Sequence, residues 1–164
     1  MARVAEVIGA IAIVISLIYV GVQVRDSTRA VRSATANDTT AALSSWYSQI
    51  GSSREASQLF WNGMTAPESL SSEELFQFVM QAHGIILVYQ TVFYLSQEGT
   101  LDVELQESIT NTILGLRELP GFLLYWEQRG GLFKADFRRA VNEMLASGTT
   151  NPNVERLYRP REPE

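Results

Sequence analysis

His83 is the only histidine in the 164-residue chain, so proton transfer or metal ligation would have to centre on it. Either role wants a carboxylate at helical spacing, yet positions i−4, i−3, i+3 and i+4 are Val79, Met80, Ile86 and Leu87. A structural histidine on a largely apolar helix is the favoured reading. His83, Gln90 and Gln97 recur every seven residues and would share one side of that helix as a polar stripe. A solvated helix edge accounts for such a stripe; the functional alternative is a lining for a small ligand or a partner helix.

Other routes to chemistry close quickly. Serines and threonines are frequent, but there is no G-x-S-x-G elbow, and nothing guides the assembly of a Ser-His-Asp set around one histidine. Neither phosphate-binding glycine motif occurs, and Gly130-Gly131 reads as a helix stop. The absence of cysteine removes thiolate nucleophiles, disulfides and Cys-ligated metals together. The paired Glu73-Glu74 belongs to a first helical turn, where the helix dipole accounts for it. The expectation is a non-catalytic protein without cofactor or metal.

The formal charge of −5 is unevenly spread. Residues 1–32 carry Arg3, Arg25, Arg29 and Arg32 against Glu6 and Asp26, and the remainder is acidic with a single lysine, Lys134. That balance gives no basic stripe to neutralise a phosphate backbone, which excludes nucleic acid as an expected partner.

The elements that would position any site begin with VIGAIAIVISLIYVGVQVR. Val7–Val22 holds no charge, and Val4, Ala5 and Val24 extend the apolar run to the ~20 residues a bilayer crossing needs. No A-x-A-like cleavage site follows, so a retained transmembrane helix is expected in preference to a signal sequence or a buried core helix. Arg25, Arg29 and Arg32 outnumber Arg3, which places the C-terminal side in the cytoplasm; they share a face and are candidates for anionic headgroup contact. Ala5, Gly9, Ala12 and Ser16, spaced four, three and four, form a small-residue seam that is a candidate helix–helix contact in the membrane.

Beyond the span, no Gly or Pro appears between Val22 and Ile50, so the helix is expected to continue as a stalk through Asn37, Asp38, Thr39 and Thr40, despite their preference for caps and turns. Ser52 with Glu55 reads as a capping box for a short helix ending at Gly63, and Ser71 with Glu74 as a second, opening a helix from Ser72 to Glu98 that stops at Gly99. That helix is apolar nearly all round and should be central. A further helix is expected from Asp102 to Leu119, terminated by Pro120-Gly121, then a short helix in FLLYWEQR, then a last one from Lys134 to Ala146. Phe122, Tyr125, Trp126 and Phe133 are favoured as core over an exposed anchor. The fold class is therefore all-α: an N-terminal single transmembrane helix (1–24) continuing into a long stalk (25–50), an antiparallel helical domain (51–147), and a Pro-rich tail (148–164).

The run IGAIAIVISLIYVGVQVRDSTRAVRSAT resembles the opening of a widespread family of short bacterial proteins with an N-terminal transmembrane helix, IGAIAVVxSLxYVxxQIRxNTxAVR. The resemblance continues through PESLSSEELFQF, EGTLDVEL and LPGFLLYWEQRGGLFKADFRRAVNEML, where the family shows Pro-Gly, Trp-Glu and a closing Phe and Phe-Arg. It covers most of the chain and implies a bacterial inner-membrane location, but no activity, since none is established for the family. Members often carry charges midway along the central helix, where this chain has GIILVYQTVFYL. The expected partners are the bilayer and either another protein or a second copy, as an accessory subunit or adaptor. The alternative is a ligand-responsive module binding a small molecule beside His83 and Gln90.

Overall fold

The computed structural model describes residues 2–101 and 103–147; Asp102 and the tail expected at 148–164 lie outside the described residues. All regular structure among the described residues is helical. The first helix, α1, runs unbroken over Ala2–Gly51. It passes straight through Asn37–Thr40, so packing further along overrides the local preference of those side chains for turns.

Side chains from Ile11 to Ala34 are exposed without exception. Ile13, Leu17 and Tyr19 are each more than 60 % accessible, although burial is the usual fate of such residues. From Thr35 onward the helix turns one face inward: Thr39 is buried, and Leu43, Trp46 and Ile50 pack against the core. The segment expected to be a free stalk thus has its second half built into the domain.

Helix α2 covers Arg54–Thr65, and its start differs from the expectation. Ser53, not Ser52, is the N-cap, its Oγ accepting from the Ala56 N–H at 3.0 Å, while Ser52 donates back to the Gln49 carbonyl at 2.9 Å. Nor does Gly63 end this helix. It lies inside, where a Cβ would collide with the Phe78 ring, so glycine is there for close approach rather than for a stop. A 3₁₀ turn at Pro67–Ser69 follows.

Helix α3, Ser72–Gln97, opens with the expected reciprocal box. The Glu74 N–H donates to Ser71 Oγ at 3.3 Å, and the Ser71 N–H donates to Glu74 Oε2 at 2.8 Å. The same bonds hold the Glu74 carboxyl below its usual pKa, the backbone bond being the larger cause. At the far end Gly99 adopts φ +67°, the Gly99 N–H donates to Ser96 O and the Thr100 N–H to Leu95 O, both at 3.0 Å. That is a Schellman closure, which needs a residue free to enter the left-handed region.

Helix α4 covers Val103–Leu116, ending three residues earlier than expected. Pro120 does not merely terminate it: Leu119, at ψ 127°, is the N-cap of α5, Pro120–Arg129, with Pro120 in the first turn. The residue before a proline avoids the helical region, so the break falls ahead of Leu119. Gly130–Leu132 forms a second 3₁₀ turn, and α6 spans Ala135–Ala146, with Lys134 as its N-cap instead of its first residue.

The core centres on α3. Phe78, Ile86 and Val92 meet Tyr125 of α5 and Phe137 and Val141 of α6, all nearly inaccessible. The aromatic group around the glycine breaks is core, with Phe122 and Trp126 stacked and Trp126 Nε1–H donating to Asn142 Oδ1 at 2.8 Å. Both α1 and α3 are long and apolar enough to cross a bilayer by length and composition. Only α3 is wrapped by neighbouring helices.

Candidate functional site

Two of the three stripe residues are used to dock later elements onto α3. His83 Nδ1 lies 2.8 Å from the Tyr125 hydroxyl, and its ring packs at 5.2 Å from that of Phe133. Burial first, and the Arg129 guanidinium second, hold the His83 pKa below its usual value, so the ring is neutral near pH 7. Burial pushes the Tyr125 hydroxyl far above the usual tyrosine pKa, against a smaller opposing effect of Arg129. A neutral imidazole paired with a neutral phenol is a structural joint, satisfied in either tautomer.

Gln90 Oε1 accepts from the Lys134 N–H at 3.0 Å, at the entry of α6, and the Lys134 ammonium sits 4.5 Å over the Tyr94 ring. Gln97 is exposed. The stripe therefore ties α5 and α6 to α3 at His83 and Gln90, and runs out into solvent at Gln97. Among the described residues, no group of three or more His, Cys, Asp or Glu side chains gathers to hold a metal.

On α1, the seam residues Gly9, Ala12 and Ser16 are exposed, and nothing lies within 4 Å of where a Gly9 Cβ would stand. The Ala5 side chain falls outside what the structure describes. By the 3.6-residue repeat, the seam lies on the side of α1 opposite Thr39, Leu43, Trp46 and Ile50, so it faces away from the domain. Arg25, Arg29 and Arg32 lie on the domain side by the same repeat and are exposed; Arg25 pairs with Asp26 at 3.8 Å.

α1 joins the domain through a polar bond as well as packing. Trp46 Nε1–H donates to the Gln81 carbonyl at 2.9 Å, and the indole rests edge-on against Phe60 and beside Gly84. One helical turn and more above this joint lies a groove of about 300 Å³ between α1 and α3. Thr35, Asp38 and Thr39 form its polar wall; Val88, Thr91 and Leu95 face them. Sequence reasoning singled out Asn37–Thr40 only as a weak point in the helix. The excess of poor helix formers there was the available signal, but the α3 residues opposite cannot be inferred from local pattern. No family model, no curated protein and no solved structure matches the chain.

Proposed function

We propose that this protein is a single-pass, membrane-anchored helical subunit or adaptor that works through protein–protein contacts. One observation carries the reading: the exposed apolar part of α1 and the core face of α1 belong to one uninterrupted helix. The apolar side chains from Ile11 to Val24 have no neighbours among the described residues to bury them, and a bilayer supplies what the domain does not, with the charged stretch from Arg25 lying beyond it. Without a hinge between span and domain, the anchor fixes the domain's direction as well as its location.

The excess of arginine after the span puts the domain in the cytoplasm of a bacterium and the N-terminus outside the inner membrane. The domain is read as an antiparallel bundle, with Trp46 beside Gln81 while Thr39 lies beside the later α3 residues. The seam residues Gly9, Ala12 and Ser16 face away from the domain, leaving that side of the span open to another helix. Contact through the span and the domain surface is preferred to a ligand site at His83 and Gln90, because Tyr125 and Lys134 already engage those polar atoms.

The experiment is extraction from native bacterial membranes. The protein should resist alkaline carbonate, dissolve in mild detergent, and give a native mass above that of one chain. Release by carbonate would remove the anchor, and a bare monomeric mass would remove the subunit.

A further inference from the structure

The groove between α1 and α3 holds polar groups that the fold leaves without partners. A helical threonine commonly returns its hydroxyl hydrogen to the carbonyl four residues back, and Thr28, Thr65, Thr91 and Thr112 all do so, at 2.8–3.1 Å. Thr39 is 94 % buried and is the one buried polar residue among the described residues, yet no hydrogen bond reaches its hydroxyl. Thr35 makes none either, and the Asp38 carboxylate has neither an ion pair nor a hydrogen bond among the described residues. Thr39 thus leaves its hydroxyl on the groove beside half-buried Thr35 and the exposed Asp38 carboxylate, a set of polar groups that the described residues do not engage and that a molecule outside the chain can.

Local sequence strengthens the case. Asn37, Asp38, Thr39 and Thr40 are all weak helix formers, and placing them mid-helix costs roughly 2 kcal/mol relative to alanine. The packing of these four side chains themselves returns little of this, since three of them are exposed. Disagreement between local preference and fold gathers at functional positions more than elsewhere.

The lining defines the ligand. Asp38 provides the groove's one charge, and Thr91 has already given its hydrogen to Leu87 O, so its oxygen can only accept. The Asp38 carboxylate and the threonine oxygens can each accept from an ammonium, which carries three hydrogens and the charge complementary to the carboxylate. Beside them Ala42, Val88 and Leu95 present apolar surface for an organic body. A divalent cation would want six or more oxygens and more than one carboxylate, and anions are repelled. The volume stands at the small end of ligand pockets.

We infer that the α1–α3 groove binds a small organic primary ammonium, its charged head at Asp38 and Thr39 and its apolar body over Val88 and Leu95. The site sits where α1 leaves the domain, so occupancy would clamp the anchor helix to α3. This inference does not depend on what the anchor recognises.

The test titrates the full chain, in nanodiscs with methyl-labelled Thr, Val and Leu, with tryptamine and with tryptophol, which replaces the ammonium by a hydroxyl. Tryptamine should saturate, moving the Thr39, Val88 and Leu95 methyl signals, and tryptophol should bind at least about ten-fold more weakly. Asp38→Asn should weaken tryptamine about ten-fold while leaving tryptophol unchanged, and Thr39→Val, close in shape, should weaken it several-fold. Unshifted methyl spectra of the free variants show that they fold. No saturable binding, shifts outside the groove, or equal affinity in Asp38→Asn would each overturn the proposal.

Discussion

Replacing Gly121 by alanine asks whether α2 and α5 approach as closely as described, and the sign of the result answers. A Cβ at Gly121 would fall on the Gly63 carbonyl oxygen, 2.6 Å from the Met64 Cα and 2.7 Å from the Gly63 carbonyl carbon. Carbon atoms sit at about 3.5–4.0 Å in good contact, so the helices would have to part by roughly 1 Å, and every obstructing atom is backbone. Overpacking of this kind costs about 1–3 kcal/mol, and rigid neighbours place it toward the upper end. Against this, alanine in a helix gains up to about 1 kcal/mol over glycine. The net is a loss of about 2 kcal/mol, or roughly 8 °C in Tm for a domain of this size. Gly84→Ala is the control, because its Cβ would meet only the Trp46 Cδ1 at 3.8 Å, an ordinary contact. It should keep the helical gain and hold or raise Tm. Thermal melts of the full chain in mild detergent, followed by tryptophan fluorescence, compare the two. If Gly121→Ala raises Tm as Gly84→Ala does, the α2–α5 crossing is wrong.

Ser71→Ala should cost about 1 kcal/mol by removing the α3 cap, seen as a Tm lower by several degrees, whereas Ser52→Ala should change little because Ser53 does the capping. Because His83 has a folded pKa below its usual 6.5, the unfolded chain takes up a proton first as pH falls; stability should therefore decline from about pH 6.5 down to the folded pKa and then level, and His83→Gln should flatten that part of a denaturation-versus-pH curve. Glu74 acts in a separate window: its stabilisation is present above about pH 4.5 and is lost as pH falls through its lowered folded pKa, a loss Glu74→Gln should abolish. Trp46→Phe should lose about 1 kcal/mol with the bond to Gln81, and raise hydrogen exchange in residues 35–50 more than in α5.

Signals that depend on a few adjacent residues were legible in the sequence. The Ser71–Glu74 box and the Gly99 closure are set within six residues, and both formed as written. The end of α4 was legible in principle, since the residue before Pro120 resists the helical region. Ser52 with Glu55 had the form of a capping box, and the outcome turned on Ser52 being engaged by the end of α1, which leaves Ser53 as the cap. Gly63 carried the ordinary mark of a helix stop, and only the arrival of the Phe78 ring from α3 explains it. The seven-residue repeat put His83 and Gln90 on one side of α3 and favoured a solvated edge there, but what covers it, Tyr125 at 42 residues' separation and Lys134 at 44, is a matter of long-range pairing. The α1–α3 groove was hidden for the same reason: its two walls are some fifty residues apart in sequence.

The central claim, an anchor helix continuous with a core helix, is most directly tested by spin-label accessibility along α1. The chain has no cysteine, so single substitutions label cleanly. With the full chain in nanodiscs, nitroxides at Val14 and Leu17 should be accessible to oxygen and shielded from a water-soluble nickel reagent. Those at Arg25, Arg29 and Arg32 should be open to nickel, and those at Leu43 and Ile50 protected from both. Nickel access at Val14 equal to that at Arg29 would contradict the account.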